Sequence, residues 1–232
     1  QEKQNLVAAT TNYLLRNGTT TKTAFQINEH FEYYGAFLNR ASYNETATIS
    51  LHTLTRHTGE LLPVVKELIT DSVMPRGELD IFRDNMKQKL KVSLKKSDFV
   101  AGRLIDVYLF GEKHPYGKYS SVEDYDALEQ EQLLEFYKKY YQQGKMIIFV
   151  AGKLPANIEK LLNDNFGDLP NKDNDIINTE AVPAVQKKYR ISNDVDGVQG
   201  SIRIATQFPN RHHPDFIKAQ VLNAVFGGFF GS

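Results

Sequence analysis

The stretch Leu6 to Thr19, LVAATTNYLLRNGT, constrains the fold more than any other part of the chain. Leu6, Ala9 and Tyr13, with Leu14 and Leu15 beside them, recur at helical spacing, and Asn17-Gly18 is a helix-ending pair. The pattern predicts a buried amphipathic helix with a sharp stop. A second helix is expected over Thr21 to Tyr34, with Ala24, Ile27, Phe31 and Tyr34 on one face and Gly35 closing it. After Gly35 the period changes. Ala47, Ile49 and Leu51 alternate with Thr48, Ser50 and His52, which predicts two antiparallel strands turning at Asn44-Glu45.

Helical intervals then dominate. Gly59 to Asp71 carries Leu61, Leu62, Val65, Leu68 and Ile69, with Pro63 read as lying in the first turn, and this helix should pack on the sheet. Glu78 to Lys96 is a long charged helix with a single stripe of Leu79, Phe82, Met86, Leu90 and Leu94, and Phe99 to Phe110 continues as another ending at Gly111. His114 to Gly117 reads as a turn, Val122 to Leu128 as a short acidic helix, Glu131 to Tyr141 as an aromatic-rich helix and Asn157 to Phe166 as the next one. Strands are expected at Lys145 to Gly152, Lys187 to Ile191 and Gln199 to Gln207, and a last helix at Pro214 to Phe226.

Charge and composition remove several functions. Lys+Arg and Asp+Glu are equal at 28 each, and no basic stripe breaks the balance, so no nucleic-acid partner is expected. The apolar run Met146 to Gly152 is far shorter than the roughly 20 residues needed to span a bilayer, so no membrane span is expected. The chain has no cysteine, which excludes disulfides, thiolate metal sites and a thiol nucleophile. Cysteine usage does not fix the compartment; the bacterial periplasm or another soluble compartment is the expectation. No Gly-x-Ser-x-Gly occurs, and the Gly227 to Gly231 loop follows a helix without a Gly-Lys-Ser ending, which argues against a phosphate cradle. Tyr137, Tyr140 and Tyr141 fit a core edge better than a stacking platform, and Lys87, Lys89, Lys91, Lys95 and Lys96 fit a solvated helix face.

Several separate stretches, in order, resemble the M16 peptidases, the pitrilysin, insulinase and mitochondrial-processing-peptidase group. They are Asn17 to Thr19, Gly35 followed by Asn39, HPYG at His114 to Gly117, FYKKYYQQGKMIIFVAG at Phe136 to Gly152, and QGSIRIATQFP at Gln199 to Pro209 leading into PDFIKAQVLNAVFGGFFGS. The resemblance implies an α+β fold of M16-like domains, each a mostly antiparallel sheet with helices packed on it. It implies a first domain at 1–170 lacking its N-terminal strands, a linker at 171–185 and the start of a second domain at 186–232. Because Gln1 almost begins a helix and Ser232 ends a glycine-rich loop, the chain reads as cut at both ends.

Active members of the resembled family carry an inverted zinc motif, His-x-x-Glu-His, shortly before the Asn-Gly-Thr equivalent, and a distal glutamate some seventy-odd residues later. Carried over residue by residue, the histidines fall at Ala9 and Tyr13, the glutamate at Asn12 and the distal ligand at or next to Lys89. Catalytic zinc needs about three nitrogen or oxygen ligands and a carboxylate to take a proton from the bound water. Alanine has no lone pair to give, tyrosine is a poor ligand at neutral pH, asparagine is no base and lysine brings a positive charge. The degenerate positions therefore predict no catalytic residue, no metal and no cofactor in this chain, with zinc expected only in an active partner or half.

No replacement site emerges. His30, His52, His57, His114, His212 and His213 include no i,i+4 pair, and His57-x-x-Glu60 reads as a helix start. The resemblance also implies that residues 35–42 form an edge strand that can hold extended peptide by main-chain hydrogen bonds, which places candidate peptide contacts at Phe37, Leu38, Asn39, Arg40 and Ala41. The resulting expectation is a catalytically silent M16-type chain that serves as partner or scaffold for a peptide substrate, beside a catalytic M16 subunit or a second copy of itself. The alternatives are the inactive half of an active zinc endopeptidase whose His-x-x-Glu-His lies elsewhere, and a purely structural complex subunit.

Overall fold

The computed structural model of the chain describes residues 5–172, 190–192 and 198–228. Their elements, in order, are α1 (Val7–Leu14), α2 (Ala24–Tyr33), β1 (Phe37–Ser42), β2 (Ala47–His52), α3 (Thr58–Thr70), α4 (Arg76–Ser93), α5 (Ser97–Phe110), α6 (Val122–Asp126), α7 (Gln130–Tyr140), α8 (Ile158–Phe166) and α9 (Phe216–Asn223). The chain divides into two compact units. One comes from Gln1–Leu94 and Tyr119–Thr179, the other from Lys95–Lys118 and Glu180–Ser232.

In the first unit the chain stops where the sequence says it should. α1 gives way to Asn17-Gly18, and Gly18 has φ +152°, with a Cβ at that position falling 3.0 Å from Pro75 Cγ. Glycine is therefore required both by conformation and by space. α2 begins with a capping box, in which the Gln26 amide N–H donates to the Thr23 hydroxyl and the Gln26 side chain accepts from the Thr23 N–H. It ends at Gly35, in the left-handed region at φ +58°. The hairpin that follows is antiparallel, with Leu38 opposite Leu51 and Arg40 opposite Ile49. Its two-residue turn at Asn44-Glu45 is closed by the Tyr43 N–H donating to the Thr46 carbonyl at 2.7 Å.

Two apolar clusters hold this unit. In the first, Ile27 and Phe31 of α2, Leu38 of β1, and Leu61, Leu62, Val65 and Leu68 of α3 pack together with Phe166 of α8. In the second, Val7, Leu14 and Leu15 pack with Leu79 and Phe82 of α4 and with Leu133 and Tyr137 of α7, and Ile49 of β2 touches both clusters. Full burial of one such aliphatic side chain is worth about 1.5–3 kcal/mol, so these contacts, rather than the small sheet, dominate the fold. The fold is α+β, helix-rich, with α3 packed on the hairpin as expected.

Several local expectations differ from what is found. α1 buries Val7, Thr10, Thr11, Asn12 and Leu14, whereas Ala9 and Tyr13 lie on its exposed side. The apolar surface of the neighbouring helices is met by the stripe through Val7, Thr11 and Leu14, and Ala9 and Tyr13 sit on the other side of the helix. Pro63 is the sixth residue of α3, inside the helix rather than in its first turn; it is exposed, so the lost N–H and the bulk of the ring face solvent. Residues 145–152 and 199–207 form no strand. A strand requires a partner for its N–H and C=O groups, and among the described residues none pairs with these segments; Phe149 is 89% and Ile204 94% exposed. The strand expected at Lys187 to Ile191 falls mostly outside the described residues, as does the 171–185 linker beyond Lys172.

The second unit contains α5, the turn Pro115–Gly117 and α9. Phe110 at the end of α5 stacks on His114, with ring centroids 5.3 Å apart, and Tyr116 meets both rings edge-on. Asp98 at the start of α5 pairs with Arg203. α9 runs into a π-helical turn at Ala224–Gly228. Among the described residues, no helix is long and apolar enough to cross a membrane.

Candidate functional site

The four degenerate motif positions are distributed as follows. Ala9 and Tyr13 occupy the exposed side of α1, one turn apart, while Asn12 is only 2% exposed. Asn12 is buried because it has a partner: its Nδ2 donates to the Tyr141 hydroxyl at 2.9 Å. Tyr141 caps the C-terminal end of α7, which packs along α1. Burial pushes the Tyr141 phenol up to about 12, against the opposing effects of the Asn12 hydrogen bond and the Arg40 charge, so it is neutral at physiological pH. The Tyr13 ring leans on Phe82 of α4, with centroids 4.7 Å apart. Lys89 lies further along α4 and is exposed.

Arg40 reaches this place from β1. Its Nη1 donates to the Tyr13 carbonyl, and its guanidinium carbon lies 5.3 Å from the centroid of the Tyr13 ring. Burial lowers its pKa to about 10, helped by the charge of Arg16 and opposed by Tyr13 and Tyr141. Arg16, just past α1, donates from Nη1 to the Leu38 carbonyl at 3.3 Å. The region thus holds an amide, two phenols and two guanidinium groups.

That donor set does not fit a zinc ion. Ala9 offers no donor atom, the Asn12 amide nitrogen is committed to Tyr141, and the cation nearest to Tyr13 would repel a metal. Among the described residues there is also no group of three or more His, Asp or Glu side chains placed to hold a metal ion. His57 immediately precedes α3 and accepts from Arg56 Nε at 3.0 Å, without a side-chain bond to the helix start. His30 Nε2 lies 3.3 Å from the Glu60 carbonyl.

The hairpin register sorts the candidate peptide contacts. Residues 43 and 46 form a hydrogen-bonded pair, so by alternation residues 37, 39 and 41 turn their main-chain groups toward β2. Only Leu38 and Arg40 among the five candidates turn them to the outer edge, and the Leu38 carbonyl is already taken by Arg16. Phe37, Asn39 and Ala41 instead put their side chains on the face of the sheet away from Leu38 and the core. Among the described residues, no strand pairs with the outer edge of β1.

Sequence reasoning selects Arg40 for its main chain and misses its guanidinium, and it does not single out Arg16. A signal is present. Arg40 falls two residues after Leu38, on the core-facing register of a strand, where a charge is unexpected. Tyr141 is expected at a core edge, but its bond to Asn12 spans 129 residues and leaves no local pattern.

A family model described as the peptidase M16 inactive domain matches residues 127–232. The chain is 23% identical over 235 residues to a probable mitochondrial-processing peptidase subunit beta of Schizosaccharomyces pombe, in an alignment covering 98% of this chain and 51% of that protein. It is 22% identical over 232 residues to an uncharacterized zinc protease of Mycobacterium leprae, covering 95% and 50% respectively. A crystal structure of a peptidase M16 inactive domain from Pseudomonas fluorescens superposes with a TM-score of 0.65 at 23% identity, over 75% of this chain and 43% of that one. The chain spans about half the length of the curated relatives it matches.

Proposed function

We propose that the chain, whose sequence and fold are similar to those of M16 peptidases, is a non-catalytic member of that family, a partner or scaffold that helps to enclose or bind the peptide substrate of a zinc-bearing M16 chain. The observation that carries this reading is the side-chain chemistry along α1. The positions matching the motif's histidines and glutamate hold alanine, tyrosine and a buried asparagine tied to Tyr141, and the neighbouring charges are arginines. Among these side chains there is no base to activate water and no lone-pair set to bind a metal. What such a chain keeps is the hairpin edge beside α1, which contacts extended peptide through main-chain groups at Arg40. Its partner is a catalytic M16 subunit or a second copy of the chain.

A mixing assay tests the proposal. Alone, the chain cleaves none of a library of unfolded peptides; added to a zinc-bearing M16 partner, it raises the turnover of that partner. Cleavage by the chain alone, abolished by a chelator, would refute it. The half-length match to relatives favours a second reading, the inactive half of an active enzyme; a His-x-x-Glu-His in the same polypeptide distinguishes that case.

A further inference from the structure

Arg16 and Arg40 both lie between the end of α1 and β1, near enough for the Arg16 charge to act on Arg40, and among the described residues neither is in an ion pair. Arg40 Nε is fully buried and without a hydrogen-bond partner. A half-buried guanidinium usually has a carboxylate opposite it, because desolvation without a counter-charge is unfavourable. Here the surrounding groups are the Tyr13 ring and carbonyl and the neutral Tyr141 phenol, which satisfy some donors but cancel no charge. The second arginine makes the imbalance larger. Arg16 stands at the outer edge of β1 through the Leu38 carbonyl, and Arg40 reaches from the same strand to the Tyr13 carbonyl at the end of α1.

We propose that Arg16 and Arg40 form a carboxylate-binding site that selects acidic extended peptides at the β1 edge. The proposal rests on the peptide-binding reading above and adds the chemical class of the ligand. Arginine supplies a planar fork suited to a carboxylate, and the carboxylate is either an acidic side chain or the peptide's own C-terminus.

The test uses fluorescent ten-residue peptides of one extended sequence in three forms: an internal Gln with an amidated C-terminus, Glu in place of that Gln with the amide kept, and the Gln form with a free C-terminal carboxylate. Binding to the full chain is read by anisotropy at low and at physiological salt. At least one carboxylate form should bind about tenfold or more tighter than the neutral peptide, and the form that does so identifies the source. Arg40→Gln and Arg16→Gln should each remove that preference, so that the carboxylate and neutral forms bind alike. Arg16→Gln provides the test if Arg40→Gln does not fold, as judged by circular dichroism. Equal binding of all three forms, or a preference retained in the folded variants, overturns the carboxylate site and leaves peptide binding standing. Absence of binding by every form overturns both.

Discussion

Removing one oxygen atom, by Tyr137→Phe, should destabilise the first unit by about 2 kcal/mol. Tyr137 is fully buried, and its hydroxyl accepts from the Ser72 N–H at 2.9 Å and donates to the Leu68 carbonyl at 3.2 Å. Ser72 is itself buried, so in the variant its N–H is left without this acceptor and away from water. A buried donor left unpaired costs about 1–3 kcal/mol, and the carbonyl, with a second lone pair in play, adds little. Phenylalanine keeps the ring and its place among Leu14 and Leu79, so no cavity term enters. The loss also acts on α1, because Ser72 pairs with Thr19 and the Val73 N–H donates to the Gly18 carbonyl, which fixes the turn that stops that helix. Urea unfolding followed by circular dichroism measures the difference, with Tyr140→Phe as a control, since Tyr140 is only partly buried. A shift below about 0.5 kcal/mol for Tyr137→Phe, or an equal shift for the control, would show that the buried hydroxyl does not hold α3 to α7 as described.

Other consequences follow from single groups. Burial works to raise the Glu67 pKa, but hydrogen bonds from Lys22, Thr19 and Thr21 outweigh it and leave the carboxyl below its ordinary value. A depressed folded pKa means stability that is present above the unfolded value, near 4.5, and is lost as the pH falls below it. Melting temperatures between pH 7 and pH 3 should therefore fall less steeply in Glu67→Gln than in the parent; identical slopes would contradict this. Burial raises both the Tyr137 and Tyr141 phenols to about 12, so an absorbance titration should keep a component that ionises near pH 12, and a curve complete near pH 10 would contradict it. Gly35 sits at φ +58° with open space around its Cβ position, so Gly35→Ala should cost about 1 kcal/mol from backbone conformation alone, measured as a lower melting temperature.

The helices are legible in the sequence and the sheet much less so. The helical stripes through Ile27 and Phe31 and through Leu79, Phe82 and Leu90 each lie within one element and survive as core. The hairpin is equally readable, because its alternation and its Asn44-Glu45 turn are local. The segments 145–152 and 199–207 have the composition of strands, but pairing depends on what lies beside them, and composition does not supply a neighbour. In the site, residue chemistry at Ala9, Asn12 and Tyr13 reads directly from the chain. The tie from Asn12 to Tyr141 and the position of Arg40 over Tyr13 do not, since both depend on packing between elements distant in sequence. The facing of α1 is also hidden. Ala9 and Tyr13 share a helical spacing with a buried stripe, but spacing alone does not say which side of a mixed helix meets the core.

Equilibrium dialysis against zinc, followed by metal analysis of the folded chain, addresses the account at its centre. The side chains on α1 predict no stoichiometric zinc at micromolar free metal. One tightly held zinc per chain, lost when Asn12 and Tyr13 are replaced, would contradict the account.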